Sequence, residues 1–221
     1  MKNYAFFDLD GTLIKIKSMM SFLEYCCDRK LVAHDFHTVL SLLAKSYKDG
    51  ASREQLNIAY YRLYRGCRWD DILVAGDRWF DTLDLSDAFY SNVLERLRQH
   101  QRCGDEAVIV SGSFAACVAP MANHLGISHA LTSEPDINAG RMTGELKFQA
   151  IGAGKADAMA RFLKHNLADA SCCYAYGDDV SDIPMLSSVG NPCVVGASCK
   201  MINEAAKRRW ECIDTVCEID A

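Results

Sequence analysis

Residues 4–13 read YAFFDLDGTL, an apolar run that ends in two aspartates and a glycine. The segment YAFF has the length and composition of a buried strand. The two carboxylates at its exit, Asp8 and Asp10, would be costly to bury without a partner. The stretch therefore predicts a strand with a polar site at its end, where a metal ion, a phosphate or a covalent intermediate could make the pair tolerable.

After this strand the secondary-structure pattern predicted from the sequence changes twice. From about Ser18 to about His100 the pattern is helical, and it includes a capping-box sequence at Ser52 and Gln55. After Gly104 strands and helices alternate, with a hairpin predicted near residues 138–146 and the last strand near 191–196. Such alternation predicts a mainly parallel sheet with helices on both faces. The helical block is then an insertion over the carboxyl ends of the strands.

Composition limits the possible function classes. The 221 residues are 50% apolar and carry a formal net charge of −5, which gives no footprint for nucleic acid or an anionic membrane. No apolar run approaches the ~18 residues of a membrane span, and no signal peptide is visible. The eleven cysteines contain no C-x-x-C pair and are expected to be reduced. These features predict a cytoplasmic protein without stable membrane insertion; they do not indicate an oligomeric state.

Four polar motifs occupy equivalent places along the chain. Asp8 and Asp10 follow the first strand, and SGS (residues 111–113) follows the second. Lys155 opens a helix, and GDDVSD (residues 177–182) follows a later strand. Because the carboxyl ends of parallel strands meet at one edge of the sheet, the four motifs are expected to form one site.

These residue types suit phosphoryl transfer, which depends on positioning and on charge stabilisation. One aspartate of the DLD segment can attack phosphorus, and the other can reach the leaving oxygen. Mg²⁺ prefers carboxylate, phosphate and water oxygens, while hydroxyl, amide and ammonium groups bind phosphoryl oxygens. The residues predicted from their chemistry are Asp8, Asp178 and Asp182 for the metal, and Ser111, Gly112 and Lys155 for the phosphoryl group.

With these motifs in this order, the sequence resembles the haloacid dehalogenase superfamily, in its phosphoserine-phosphatase-like branch (subfamily IB). DLDGT, SGS, Lys155 and GDDVSD match the four motifs of that family, and the likeness spans essentially the whole chain. The resemblance implies a Rossmann-like, doubly wound, mainly parallel α/β core with an inserted all-helical cap of the C1 type. The core is predicted at residues 1–16 and 85–221, and the cap at 17–84.

The resemblance also implies roles for the motif residues in a Mg²⁺-dependent hydrolysis of a small-molecule phosphomonoester. Asp8 would be the nucleophile and a metal ligand. Asp10 would be the general acid and base, with its backbone carbonyl on the metal, and Asp178 would supply the metal's other carboxylate. Asp182 would hold a metal-bound water or the lysine. Asp179, where many relatives carry a small residue, is expected in the outer shell of the metal.

The substrate is less defined by the sequence. Phosphoserine phosphatases usually carry a glutamate where this chain has Lys17, and a lysine would repel a substrate ammonium group. This predicts that phosphoserine is a poor substrate, unless Lys17 simply points to water. Arg62 and Arg65 are candidates for contact with a substrate carboxylate or second phosphate.

Several alternative functions remain open at this stage. A phosphoserine phosphatase proper would tolerate Lys17, and a lipid head-group phosphatase would use the apolar SMMSFL segment at residues 18–23. A phosphomutase would need the same motifs. A non-catalytic phospho-receiver is disfavoured, because the helical insertion and Asp10 would have no role in it.

Overall fold

The computed structural model describes residues 2–196 and 198–215. Its first half contains one strand and five helices. Its second half alternates strands with helices, and short 3₁₀ turns precede β6 and α8. The elements are, in chain order, β1 (Tyr4–Phe7), α1 (Ser18–Asp28), α2 (Phe36–Lys48), α3 (Arg53–Arg62), α4 (Trp69–Phe80), α5 (Ser91–Cys103), β2 (Glu106–Ser111), α6 (Ala115–Leu125), β3 (His129–Thr132), β4 (Glu134–Asn138), β5 (Arg141–Phe148), α7 (Ala153–His165), β6 (Tyr174–Gly177), α8 (Ile183–Leu186), β7 (Asn191–Val195), α9 (Cys199–Arg208) and β8 (Glu211–Ile213).

Strand β1 lies at the centre of the main sheet. It pairs in parallel with β2 on one side and with β6 on the other. Alternate side chains of a strand point to opposite faces. Ala5 and Phe7 accordingly belong to one hydrophobic cluster, while Tyr4 and Phe6 belong to the other. Because both faces are covered, the strand is an unbroken apolar run in the sequence.

The sheet confirms the predicted doubly wound topology. Its six strands run parallel in the order β3-β2-β1-β6-β7-β8. Strands β4 and β5 form the predicted hairpin, which is separate from the main sheet. The chain winds outward from β1 through β2 and β3, and then returns to build β6, β7 and β8 on the other side. Neighbouring strands β1 and β6 thus flank the switch point, where open α/β sheets bind ligands beyond their carboxyl ends.

Helices α1 to α4 form the insertion, and this stretch of the chain contains no strand, as predicted. Helix α3 begins with the expected capping box, in which Ser52 and Gln55 exchange hydrogen bonds. The insertion packs tightly on the core, since a Cβ added to Gly76 of α4 would clash with the carbonyl of Ala116 in α6. Aromatic residues of the insertion also surround Phe114. The division into a core and a cap at residue 17 and residue 84 stays a prediction.

Two elements differ from the sequence-based prediction. The sequence pattern predicts a helix from Ser86, but helix α5 begins at Ser91. The difference arises because residues 88–90 hydrogen-bond to the segment that follows β1. The N–H groups of Lys15 and Tyr90 bind the carbonyls of Ala88 and Leu13 in that pairing. Strand β8 has no counterpart in the sequence prediction: it is three residues long and largely exposed, so it carries no apolar run.

Two further expectations are that the cysteines are reduced and that no segment is long and apolar enough to span a membrane. The ten cysteines within the described residues are free thiols, and Cys217 lies outside that part of the chain. Among the described helices, none has the length and apolar character needed to cross a bilayer.

Candidate active site

Asp8 is fixed by the sheet itself. Its N–H donates to the carbonyl of Tyr176 at 2.9 Å, which extends the pairing of β1 with β6 by one residue. The chain then turns at Gly11, whose φ of 95° lies in the left-handed region that favours glycine. A Cβ at Gly11 would also clash with the carboxylate of Asp178. The glycine of DLDGT therefore lets the first motif approach the fourth.

Lys155 is buried between two carboxylates. Its Nζ lies 2.6 Å from Oδ1 of Asp8 and 2.6 Å from Oδ1 of Asp182. The other oxygen of Asp182 accepts the N–H groups of Asp178 and Asp179 at 3.2 and 3.1 Å. Asp182 is thus occupied on both oxygens, and it fixes the lysine and the loop after β6 rather than facing a substrate.

The charges of this cluster influence one another strongly. Burial and the neighbouring Asp178 together raise the pKa of Asp8 to about 6, against the attraction of Lys155. Burial also raises the pKa of Asp182 to about 6, again against Lys155. Burial opposes the charge on Lys155, but the two carboxylates more than offset it, so the pKa of Lys155 is raised. With Asp178 included, three carboxylates surround one ammonium group, and this excess of negative charge favours a cation.

The donor set fits Mg²⁺. Carboxylate oxygens of Asp8, Asp178 and Asp182 lie within 4.8 Å of one another. Since both oxygens of Asp182 are occupied, Asp8 and Asp178 are the carboxylates suited to a metal. Thr12 Oγ1 donates to Oδ1 of Asp178 at 3.1 Å, and Oδ2 of Asp178 faces Gly11. These hard oxygen donors, with the phosphate of a substrate, match the preference of Mg²⁺.

Asp10 belongs to the junction between the core and the insertion. Its Oδ1 accepts the N–H of Ser18 at 3.0 Å, which ties it to the start of α1. Its carbonyl receives Lys17 Nζ at 3.4 Å, so Lys17 lies beside the carboxylate cluster. Burial raises the pKa of Asp10, against the hydrogen bonding of Ser18. A carboxyl group with a raised pKa is suited to donating a proton near neutral pH.

The SGS motif forms the opposite side of the site. The N–H of Ser113 donates to Ser111 Oγ at 3.1 Å, and α6 begins at Ala115. Unpaired N–H groups at a helix start attract anions. The carbonyl of Gly112 points instead to the insertion, where it accepts Asn57 Nδ2 at 3.0 Å and Tyr61 Oη at 3.1 Å. Sequence reasoning missed these two side chains, which hold the motif in place.

Asp179 lies outside the carboxylate cluster. Its Oδ2 is 2.7 Å from Nη1 of Arg53 at the start of α3, and its Oδ1 accepts the N–H and hydroxyl of Ser181. Although burial acts the other way, the hydrogen bonds of Ser181 and the charge of Arg53 hold the pKa of Asp179 below its usual range. The aspartate that departs from the family pattern thus joins the core to the insertion, and its expected place in a metal's outer shell stays a prediction.

The structure does not bring Arg62 and Arg65 to the cluster. Both side chains pair with Glu145 of β5, at 3.7 and 3.2 Å, on an exposed surface. The residues of α3 that contact the motifs recur at helical spacing, namely Arg53, Asn57 and Tyr61. Arg62 is not on that face, and Arg65 lies beyond the end of the helix.

Comparison with known proteins defines the class. The chain belongs to the haloacid dehalogenase-like hydrolase family, whose model matches residues 5–187. It is 29% identical to the probable phosphatase Rv3661 of Mycobacterium tuberculosis strain H37Rv over 214 residues, which cover 93% of this chain and 73% of the relative. It is 25% identical to the phosphoserine phosphatase SerB1 of the same strain over 224 residues, 95% of this chain and 70% of that protein.

The fold also matches a solved structure described as a phospho-aspartyl intermediate analogue of phosphoserine phosphatase. The TM-score is 0.67 at 17% identity, over 96% of this chain and 93% of that one. Together these similarities make the chain a phosphatase of the phosphoserine-phosphatase-like branch of the family.

Proposed function

We propose that this protein is a Mg²⁺-dependent phosphomonoester hydrolase that works through an aspartyl-phosphate on Asp8. The observation that carries the proposal is the placement of Asp8 at the sheet's switch point, fixed by Lys155 and next to Asp178. Two residues later, Asp10 has a raised pKa and a hydrogen bond from Ser18 that sets its orientation. Asp8 as the nucleophile, Asp178 as a metal-binding carboxylate and Asp10 as the proton donor thus lie at the same edge of the sheet.

In the first step a carboxylate oxygen of Asp8 attacks the substrate phosphorus, and the bond from phosphorus to the ester oxygen breaks. Asp10 donates its proton to the departing alkoxide, which leaves as an alcohol. In the second step Asp10, now a carboxylate, takes a proton from a water molecule that attacks the aspartyl-phosphate. Inorganic phosphate is released, and Asp8 is restored. The similar fold of a phosphoserine phosphatase solved as a phospho-aspartyl intermediate analogue supports this route.

The remaining residues of the site hold the phosphoryl group. Lys155 supplies positive charge, Ser111 supplies a hydroxyl group, and the start of α6 supplies N–H groups. Mg²⁺, when bound by the carboxylates of Asp8 and Asp178, would neutralise negative charge on the phosphoryl oxygens. Gly112 allows the side chain of Ile151 to pack closely against this motif, because a Cβ on Gly112 would clash with it.

The substrate we propose is a small phosphorylated molecule other than phosphoserine. The Lys17 ammonium contacts the carbonyl of Asp10, and its charge acts on Asp10 and Asp178, so Lys17 borders the site rather than pointing away. A substrate ammonium group would be repelled at this place. A non-catalytic receiver is less consistent with the site, because such a protein gains nothing from a proton donor beside its phosphorylated residue.

The test is phosphate release from a panel of phosphomonoesters, with and without Mg²⁺, in the wild type and Asp8→Asn. The panel contains phosphoserine, sugar phosphates, phosphorylated carboxylic acids and a lipid phosphate. We expect Mg²⁺-dependent turnover that Asp8→Asn abolishes, and a low rate on phosphoserine that Lys17→Glu raises. A stable acyl phosphate on Asp8 without turnover of any ester would support the receiver instead.

A further inference from the structure

An apolar pocket lies in the insertion, beside the candidate active site. Its volume is about 340 Å³, and helices α1, α2 and α3 form its walls together with the loop before α7. The proposed mechanism makes no use of it. The apolar side chains that line it include Met19, Met20, Leu40, Leu43, Leu56 and Ile151.

The pocket adjoins the catalytic edge, because residues that line it contact the motifs. Arg53 lines it and pairs with Asp179 of the fourth motif. Asn57 lines it and donates to the carbonyl of Gly112 in the second motif, against which Ile151 also packs. Met19 lines it too, and it directly follows Ser18, which binds Asp10. A group attached to a phosphate at this edge can therefore extend into the pocket.

Two polar side chains deep in the wall, Asn57 and Tyr60, already have partners. Asn57 uses its amide nitrogen on Gly112, and its Oδ1 accepts Gln149 Nε2 at 2.9 Å. The hydroxyl of Tyr60 donates to the carbonyl of Met19 at 2.8 Å. A polar group placed against Asn57 and Tyr60 would lose water without gaining a new partner from them, which is costly. Hydrocarbon would carry no such cost.

The wall formed by α2 is incompletely covered by the protein itself. Val39 is the one buried residue among those of α2, whereas Leu40 is 41% exposed and Tyr47 is 64% exposed. Both of these exposed side chains line the pocket. Covering apolar surface of this kind with hydrocarbon is favourable because it removes that surface from water.

We propose that this pocket binds the hydrocarbon part of the substrate, so that the substrate class is an amphiphilic phosphomonoester: a phosphate ester of an alcohol bearing an alkyl or acyl chain. The proposal rests on the proposed hydrolase function and specifies its substrate. The phosphate lies at the carboxylate cluster, and the chain of the leaving alcohol lies against α2 and α3.

The experiment measures kcat/KM for straight-chain alkyl phosphates from ethyl to octyl, below the concentrations at which they form micelles. Each methylene that enters the pocket should raise kcat/KM by about three- to fourfold, until the pocket is full. Leu40→Ser should reduce this dependence on chain length, lowering kcat/KM for octyl phosphate more than kcat/KM for ethyl phosphate. The matched control is Leu42→Ser, since Leu42 lies on the same helix, is 61% exposed and does not line the pocket.

A second variant covers the case in which Leu40→Ser fails to fold. Ala44→Phe places a ring in the pocket, and it should move the best substrate to a shorter chain. Circular dichroism confirms that each variant is folded.

The outcomes separate the two proposals. Equal kcat/KM for all chain lengths would overturn the pocket proposal and leave the hydrolase proposal standing. If no ester is hydrolysed, the hydrolase proposal fails, and calorimetry with the matching alkyl phosphonates, which cannot be hydrolysed, tests the pocket alone. Affinity that rises with chain length in the wild type and less in Leu40→Ser would support the pocket; affinity independent of chain length would overturn it.

Discussion

The two walls of the candidate site are built from different chemistry. On the core side, Lys155 is 4% exposed and balances the carboxylates of Asp8 and Asp182. On the insertion side, the wall is largely apolar and partly open to water, as at Leu40 and Tyr47. A change on the core side leaves a buried charge without its partner, whereas a change on the insertion side alters the shape of a pocket.

We expect the core side of the site to carry out the reaction and the insertion side to determine substrate selectivity. The core wall consists of the ends of adjacent parallel strands, so its geometry is fixed by backbone hydrogen bonds such as that from Asp8 to Tyr176. The insertion reaches the core wall through a small number of contacts, including those of Asn57 with Gly112 and of Arg53 with Asp179. If the two walls are independent, each can be changed without the other, and the largest effect is expected on the core side.

Asp10→Asn should lower kcat on alkyl phosphates by about 10²- to 10⁴-fold, since general acid and base catalysis is lost. Asparagine keeps an oxygen for the N–H of Ser18, so the fold should be preserved. With p-nitrophenyl phosphate, whose leaving group needs no proton, the first step should survive, and rapid mixing should show a burst of p-nitrophenol. The dependence on alkyl chain length should not change. A variant with normal kcat on alkyl esters would remove Asp10 from the mechanism.

Lys155→Met should lower the free energy of unfolding by about 3–5 kcal/mol, because two buried carboxylates lose their partner. Urea unfolding followed by circular dichroism measures the effect. Lys164→Met is the matched control, since Lys164 lies on the same helix and is exposed. We expect the control to differ from the wild type by less than about 0.5 kcal/mol. Equal stability of the two variants would show that Lys155 does not hold the cluster together.

The sequence predicts the core wall far better than the insertion wall, for a physical reason. The run YAFF and the carboxylates after it are local patterns, and parallel strands place their ends at one edge whatever the rest of the chain does. The pairing of Arg53 with Asp179 depends on how α3 lies over that edge, and no local pattern encodes it. Strand β8 likewise depends on the free edge of β7.

Arg62 and Arg65 as substrate contacts stay a prediction, although the structure pairs both with Glu145 instead of the carboxylate cluster. The concentration of arginines in one segment suggests an anion site, but it does not say which face of α3 each arginine occupies. The helical period from the Ser52 capping box places Arg53, Asn57 and Tyr61 on one face. The sequence thus groups these residues, but only the packing of α3 on the core shows that this face contacts the motifs.

Asn57→Ala should lower the free energy of unfolding by about 1–3 kcal/mol, because it deprives the Gly112 carbonyl and Gln149 of a partner in a buried place. Tyr61→Phe removes the other donor to the same carbonyl and should cost about 1 kcal/mol. The double variant should lose more than the sum of the two, since the carbonyl then has neither donor. Chemical denaturation of all three variants measures this. Strict additivity would show that the two donors act independently of the shared carbonyl.

The smallest effect is expected at the ion pair between Arg53 and Asp179, whose side chains are 50% and 34% exposed. Arg53→Gln should change the free energy of unfolding by less than about 1 kcal/mol, as for other exposed pairs. The difference should shrink in 1 M salt, where the Debye length falls to about 3 Å. Asp179→Ala should cost more than Arg53→Gln, because it also removes the oxygen that accepts the N–H and hydroxyl of Ser181.

A double-mutant cycle in low and high salt isolates the pair from that second role of Asp179. A coupling that is small and sensitive to salt would mean that the ion pair aligns the two walls without holding them together. The walls would then be held by the packing of α4 on α6 and by the hydrogen bonds at Gly112. A coupling energy above about 2 kcal/mol that persists in 1 M salt would contradict the independence of the two walls. The position of the insertion would then depend on the charges of the core.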